Sequence, residues 1–469
     1  MDDSFIYITS ARNLASGHGL AWPGGDGRLV TMTYFPPLYS LVLALIEWLG
    51  GSALVAARIL NTLAFGGSVV LVYLIVMRLT RSWGFSLLAS TFMLLADVLI
   101  EVYSWAMSEA LYIFLALLGF LLLAYYYDTR RRTYLFASAV ITGLAFLTRY
   151  IGLSLVLAAM FTMLLWKGDH WKRKIADLLW FGFLSLLSMA GWMARNYFAI
   201  GGPIDRSPGI HLVTTKQFAK ASYTLLAWFL PGRLVDNREF VAVLIVFLLL
   251  GIAAASTIRI WKTRVNASIT FLPTPSSPLL ILLPSQVVFH PLVLWISKSF
   301  FDPINPLNNR IFSPILPSIL ILIVAYLAGL WRSNLAWLRL GVIGFSALFM
   351  AFYLYRSVDL VPRLHQVGLG FARKNTANSP TLQAVRSLPQ VPLYSNSPAA
   401  IYMWTDRPAY SIGNLSEMRQ TMHDQHAILV LFNSVSLDLY KVDEKDLLSG
   451  LVLLKEFKDG ALYEYPTNK

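Results

Sequence analysis

Long apolar runs separated by short polar loops dominate the first three quarters of the chain. A spanning helix needs about 20 predominantly apolar residues. Runs of that kind predict spans at roughly 54–77, 83–100, 107–127, 133–148, 151–166, 175–197, 238–260, 277–297, 311–331 and 336–355. The fourth and fifth are short and are parted by a polar break at Thr148-Arg149-Tyr150. A further run, 38–49, is too short to span and follows Pro36-Pro37; it reads as an interfacial or re-entrant helix. Ahead of it, Phe5, Ile6, Ile8, Ala11, Leu14 and Ala15 give the first segment an apolar side. That predicts a juxtamembrane helix lying at the membrane surface and ended by Gly17-His18-Gly19.

From residue 356 the pattern changes. Charge density rises, and short β-like runs (392–395, 427–432 and 451–454) alternate with helical stretches at 378–387 and 414–423. The predicted fold class is an all-α polytopic membrane bundle of about ten transmembrane helices plus external juxtamembrane helices, with a small C-terminal α/β extracytoplasmic domain. The expected boundaries are 1–355, with 1–52 as the first external loop, and 356–469. No internal repeat is visible.

Composition fixes the class. Hydrophobic residues make up 57% of 469 and charged ones 13%, against about 25% charged in soluble domains; mean hydropathy is +0.59. The net charge of +13 would suggest nucleic acid in a soluble chain, but the basic residues gather in short loops, so no nucleic-acid partner is expected. Those loops carry Arg78 and Arg81, Arg130 to Arg132, Lys167 with Lys172 to Lys174, Arg259 to Arg264, and Arg332 with Arg339. With ten spans they fall on one face, which the positive-inside rule makes cytoplasmic. The external face then receives Asp2 and Asp3, the 97–106 loop, Arg149, the 198–237 segment, the 298–310 loop and everything after 356. The chain has no Cys, which excludes disulfides, thiolate metal sites and Cys nucleophiles. No secretory signal pattern precedes Asp2.

Candidate chemistry sits at the start. Asp3 and Tyr7 are four apart and share a helix face, with Arg12 near the end of the same helix. A polar loop, 22–33, leads into Tyr34-Phe35-Pro36-Pro37-Leu38-Tyr39. This order, followed by Ala56-Ala57-Arg58, Ser108-Glu109-Ala110-Leu111, Gly143 to Arg149, Trp192 to Tyr197 and Gly201-Gly202-Pro203, resembles the GT-C glycosyltransferases. The likeness is to the protein O-mannosyltransferase and lipid A aminoarabinose transferase type, and it runs through residues 1–355.

The resemblance implies a polyprenyl-phosphate-linked sugar donor, transfer with inversion to an acceptor hydroxyl on a lipid, glycan or protein, and a site on the external side of the cell membrane. It makes Asp3 the general base and Glu109 a second acid that assists the base, binds acceptor or helps hold a divalent metal; the metal itself stays unassigned. Substrate contacts are expected from Asp2, Tyr7, Arg12, Tyr34, Pro36 and Pro37, and from Arg149, Tyr150, Arg195 and Arg310. The chemistry agrees. A carboxylate can take the acceptor proton, and guanidinium suits a departing phosphate.

Plainer roles exist for each. Asp2 and Asp3 could cap the first helix, Glu109 could be a first-turn acid favoured by the helix dipole, and the three arginines could be interface residues with their heads in water. His290, inside a span, reads as a helix-packing partner more than a metal ligand. The rival functions are an O-antigen ligase or polymerase-like enzyme, for which the 198–237 loop offers His211, Lys216, Lys220, Arg233 and Arg238, and a secondary transporter, which the absence of matching halves disfavours. In the family a transmembrane helix precedes the acidic motif, so the expectation is of a reading frame lacking its first helix.

Overall fold

The computed structural model describes residues 3–166, 170–206, 208–230, 277–301, 306–332, 335–370 and 373–466. Asp2 and the expected span at 238–260 lie outside the described residues. In chain order the elements are α1 (Asp3–Ala15), β1 (Ala21–Pro23), β2 (Leu29–Thr31), α2 (Leu38–Trp48), α3 (Ala53–Thr80), α4 (Trp83–Leu95), α5 (Asp97–Ser104), α6 (Glu109–Thr129), α7 (Arg132–Thr148), α8 (Leu153–Leu165), α9 (Trp171–Ile200) and α10 (Thr215–Leu226). There follow α11 (Leu279–Phe300), α12 (Asn309–Trp331) and α13 (Ala336–Val367). The last part holds α14 (Pro380–Ser387), β3 (Leu393–Ser395), α15 (Pro398–Thr405), β4 (Tyr410–Ser411), α16 (Leu415–Asp424), β5 (Ile428–Phe432), α17 (Glu444–Leu448), β6 (Val452–Phe457) and β7 (Gly460–Glu464). They divide into two compact units, one of residues 1–32, 40–56 and 362–469, the other of 33–39 and 57–361.

The second unit is the membrane bundle. Among the described residues six helices (α3, α6, α9, α11, α12 and α13) are long and apolar enough to cross a membrane, seven if α4 and α5 form one span. The expected single span at 83–100 is a pair bent by 56° at Ala96. Asp97 opens α5 and is ion-paired with Arg356 at 2.7 Å, so the polar residue that ends one helix is anchored by the other. The last helix also runs on to Val367 instead of stopping near 355, with Ser357 and Leu360 buried in its added turns. Elsewhere α13 exposes Leu340, Ile343, Leu348 and Leu354 among the described residues, as a lipid-facing helix does.

Small residues set how closely the helices pack. The Ser138 hydroxyl on α7 donates to the Gly119 carbonyl of α6 at 2.8 Å, and the Ser188 hydroxyl on α9 donates to Gly143 O of α7 at 3.2 Å. A Cβ at Gly143 would stand 2.8 Å from Ser185 O. Such seams replace the hydrophobic drive that lipid removes, and they lock α6, α7 and α9 together. The basic loops meet at one end of this bundle: Arg78 pairs with Asp128, Arg173 donates to Arg130 O, and Arg132 and Arg173 both contact buried Asp177.

The first unit is built on a five-stranded mixed sheet of order β4-β3-β5-β7-β6. Strand β3 runs parallel to β4 and β5, and β7 antiparallel to β5 and β6. Strand β5 reads Ile-Leu-Val-Leu-Phe and is buried throughout, as expected of a strand covered on both faces. Ile428, Val430 and Phe432 meet α14 and α15 on one face, whereas Leu429 and Leu431 meet α16 on the other. The N-terminal segment belongs to this unit. The turn after β1 pairs with the β4 edge, Ser411 N donating to Gly25 O, and Phe5 packs edge-on against Trp22 and Tyr402.

Helix α1, the expected juxtamembrane helix, is buried from Ser4 to Ala11. Its polar positions make this tolerable: the Thr9 hydroxyl donates to Phe5 O, and the Asn13 amide donates to Ala21 O and accepts from the Tyr402 hydroxyl. Burial raises the Tyr402 hydroxyl above its ordinary value, against the pull of Asn13. Helix α2, in contrast, exposes Leu41, Leu45 and Trp48 in one stripe, as an interfacial helix would.

The Gly143 seam yields a test. Gly143→Leu should lower the thermal midpoint in detergent by several degrees, an overpacking cost of about 1–3 kcal/mol. Gly191→Leu, on the facing helix α9 at a position with open space around it among the described residues, should not. Equal falls in the two variants would contradict the seam.

Candidate active site

The end of the bundle opposite the basic loops gathers most of the sequence candidates. Glu109 is the first residue of α6 and is fully buried. Its Oε1 takes Arg149 Nη1 at 2.6 Å and Arg310 Nε at 3.3 Å; Oε2 makes no hydrogen bond among the described residues. Arg149 Nη1 also donates to the Ser108 hydroxyl at 3.3 Å.

Local sequence explains each placement. Arg149 is extended (φ −151°, ψ 135°) at the end of α7, in the break expected from the sequence. The chain turns back so tightly that a Cβ at Gly152 would lie 2.4 Å from Phe146 Cα. Arg310 sits in the first turn of α12, capped by Asn308, whose side chain accepts from Ile311 N. A cation in a first turn opposes the helix dipole, and Glu109 supplies the compensating charge. His290, buried on α11, lies with Nε2 3.0 Å from Ile311 O, which fixes the turn carrying Arg310. The helix-packing role expected of His290 is what the structure shows.

A second cluster knits the 33–34 segment to the ends of α7 and α9. The Tyr150 hydroxyl donates to Thr33 O at 3.4 Å and accepts from Trp192 Nε1 at 3.3 Å. The Thr33 hydroxyl donates to Asp205 Oδ2 at 2.9 Å. Buried Asn196 donates to Thr33 O and to Pro203 O and accepts from Arg195 at 3.0 Å, whose guanidinium lies over Trp192 at 4.8 Å. Arg206 lies over the rings of Tyr34 and Tyr150, 4.5 and 5.6 Å from their centroids. Pro36 and Pro37 are buried and lead into α2. Sequence reading missed Asn196 as a strut and Arg206 altogether. Asn196 stood in the quoted Arg195-Asn196 pair; nothing marked Arg206.

Asp3, Tyr7 and Arg12 belong to the other unit. Asp3 is half-buried in the first turn of α1 and Tyr7 is buried. Arg12, expected to bind substrate, instead donates to Met403 O at 3.1 Å and reaches Asp406 at 3.4 Å, which holds α1 to α15. Among the described residues no group of three or more His, Asp or Glu side chains is set to share an ion. Glu109, already matched by two guanidiniums, fits an anion-binding surround better than a cation site.

Residues 35–193 match the family model of dolichyl-phosphate-mannose-protein mannosyltransferases, a segment that contains Pro36, Glu109, Arg149 and Trp192. ArnT from Cupriavidus metallidurans in the apo state is similar over 99% of this chain and 93% of its own, with TM-score 0.59 and 12% identity. The same enzyme bound to undecaprenyl phosphate gives TM-score 0.48 at 13% identity over 100% and 94%. An Archaeoglobus fulgidus oligosaccharyltransferase tethered to an acceptor peptide gives 0.44 at 11% over 92% and 65%. No curated protein matches by sequence. The fold is that of the GT-C membrane glycosyltransferases, the class read from the motifs.

The ion cluster predicts an ordering of stabilities. Glu109→Gln strands two facing guanidiniums and should cost about 3–5 kcal/mol. Arg310→Gln leaves Glu109 paired with Arg149 and should cost less. Unfolding midpoints in detergent that reverse this order would contradict the shared-carboxylate arrangement.

Proposed function

We propose that the protein transfers a sugar from a polyprenyl-phosphate donor to an acceptor hydroxyl at the external face of the cell membrane, with Asp3 as general base. The observation that carries the reading is the buried Glu109–Arg149–Arg310 cluster at a helix-mouth of a GT-C bundle. One carboxylate faces two guanidiniums and the N-termini of α6 and α12, so the surround is net positive. A preorganised positive surround stabilises charge that develops on a leaving phosphate, most strongly where water is excluded.

In the step, the acceptor oxygen attacks the anomeric carbon while the bond from that carbon to the phosphate oxygen breaks. The phosphate leaves with the electron pair, and the acceptor proton passes to the Asp3 carboxylate. One displacement inverts the anomeric centre. Glu109 acts by positioning Arg149 and Arg310, and Tyr34, Tyr150 and Arg195 shape the approach. Arg12 serves by holding α1. Asp2 and Tyr7 remain assigned to substrate by the motif alone, and sugar identity and acceptor class are left open.

Sidedness is supported by charge. The cluster stands at the start of α6, and the basic loops gather at its far end, about 30 Å away for 21 residues; with those loops cytoplasmic, the site is external. The residues expected outside, 1–52 and 356 onward, also supply nearly all of the first compact unit.

Asp3→Asn, assayed with a radiolabelled polyprenyl-phosphate sugar, should lose about 10²–10⁴-fold in turnover with its thermal midpoint unchanged. Undiminished transfer would remove Asp3 as the base.

A further inference from the structure

The basic end of the bundle is more organised than membrane orientation requires. Arg132 opens α7 and Arg173 lies in the first turn of α9. A cation there opposes the helix dipole, so neither is placed for the benefit of its own helix. Both reach one buried carboxylate: Arg132 Nε lies 3.1 Å from Asp177 Oδ1, and Arg173 Nε 3.5 Å from Oδ2. The Tyr126 hydroxyl also donates to Asp177, and Arg173 donates to Arg130 O at 3.0 Å. Two guanidiniums on one carboxylate leave a local positive charge, and the exposed Arg131 adds to it. Among the described residues the Arg131 side chain makes no polar contact, and Arg132 makes only the one through Nε.

Beyond these cations the same helix faces turn apolar. On α7, Phe136 and Val140 follow Arg132 at intervals of four; on α9, Asp177 and then Trp180 follow Arg173. Phe136 and Trp180 meet edge-on with centroids 5.9 Å apart, about 6 Å along the axis from Arg132. Trp180 in turn meets Phe183, and Val140, Trp180, Phe183 and Leu187 are exposed. An apolar track therefore leads away from the charge.

Cation, aromatic step and apolar track follow the order of a phospholipid: anionic phosphate, glycerol esters, acyl chains. The positive-inside rule accounts for basic residues in these loops, but not for two that share a carboxylate above an aromatic pair. A guanidinium takes a phosphate through paired N–H groups, and basic pockets between spans bind anionic headgroups. We propose that Arg131 and Arg132, at the seam between α7 and α9, form a binding site for an anionic phospholipid. Its phosphate rests on the outer N–H edge of Arg132, and one acyl chain lies along Phe136 and Trp180. Arg173 supplies charge, and Asp177 holds both guanidiniums in place. The site stands at the far end of α7 from Arg149, so the inference goes beyond the transferase reading and does not rest on it.

The test is binding of dioleoyl phosphatidylglycerol to the full chain in detergent, followed by native mass spectrometry. Dioleoyl phosphatidylcholine, with the same chains and no net charge, is the comparison. Wild type should prefer phosphatidylglycerol, and Arg132→Gln should weaken it at least about fivefold with phosphatidylcholine unaffected. Arg132→Lys, which keeps the charge and loses the paired N–H groups, should fall between the two. Arg81→Gln removes one exposed charge from another basic loop at the same end and should leave binding near that of wild type. An equal fall in Arg81→Gln and Arg132→Gln would mean diffuse attraction and overturn the site, as would equal binding of the two lipids by wild type. Should Arg132→Gln fail to fold, Arg131→Gln breaks no described contact and decides: it should lower the affinity, and an unchanged affinity overturns the proposal. Glycerol 3-phosphate, which lacks the chains, should compete weakly; competition as strong as that of the lipid would overturn the phospholipid assignment.

Discussion

A single buried carboxylate organises the bundle's functional end. Glu109 begins one helix, Arg149 ends another and Arg310 begins a third, and both arginines fall on the same oxygen. Taking three charges out of water costs several kcal/mol per ion unless they meet in good geometry. The three helix ends are therefore not free to drift. The small-residue seams between α6, α7 and α9 have the same effect from the side, because a glycine contact at Gly143 permits one separation and little else. Rigidity here suits the proposed reaction, in which an environment that already points its positive groups would not need to reorganise when charge moves.

The legible part of this architecture is the part written locally. Apolar runs announced the spans, and the polar triplet at 148–150 announced the break that positions Arg149. Short apolar runs announced strands β3, β5 and β6 of the C-terminal sheet, and left β4 and β7 unmarked. Features that depend on distant partners were not legible. Helix α1 was read from its apolar side, Phe5 to Ala15; the burial of Asn13 was not legible, since its partners, Ala21 and Tyr402, come from strand β1 and from a helix 389 residues away. The Arg12 contact is equally distant, with a carbonyl 391 residues away as its acceptor. Asp97, beside the bend at Ala96, pairs with the distant Arg356, and Arg206 lies over rings at positions 34 and 150. Pairing across such separations leaves no period in the sequence.

The C-terminal unit shows how an apolar sequence can serve two solvents. Strand β5 is as apolar as a membrane segment, yet at five residues it is far too short to span, and helices cover it on both faces. The apolar positions of α13 repeat over 32 residues and only a narrow stripe is covered. Length and the fraction of the surface that the protein itself buries separate the two fates.

The attachment of α1 to the C-terminal sheet has a consequence for how the protein is made. Asp3 lies on a helix made well before the groups that fix it, Tyr402 and Met403 O. Until the residues between them have been synthesised and the C-terminal sheet has folded, the helix bearing the acid has no wall to rest on. Synthesis therefore runs ahead of anchoring: the acid is made early and set late.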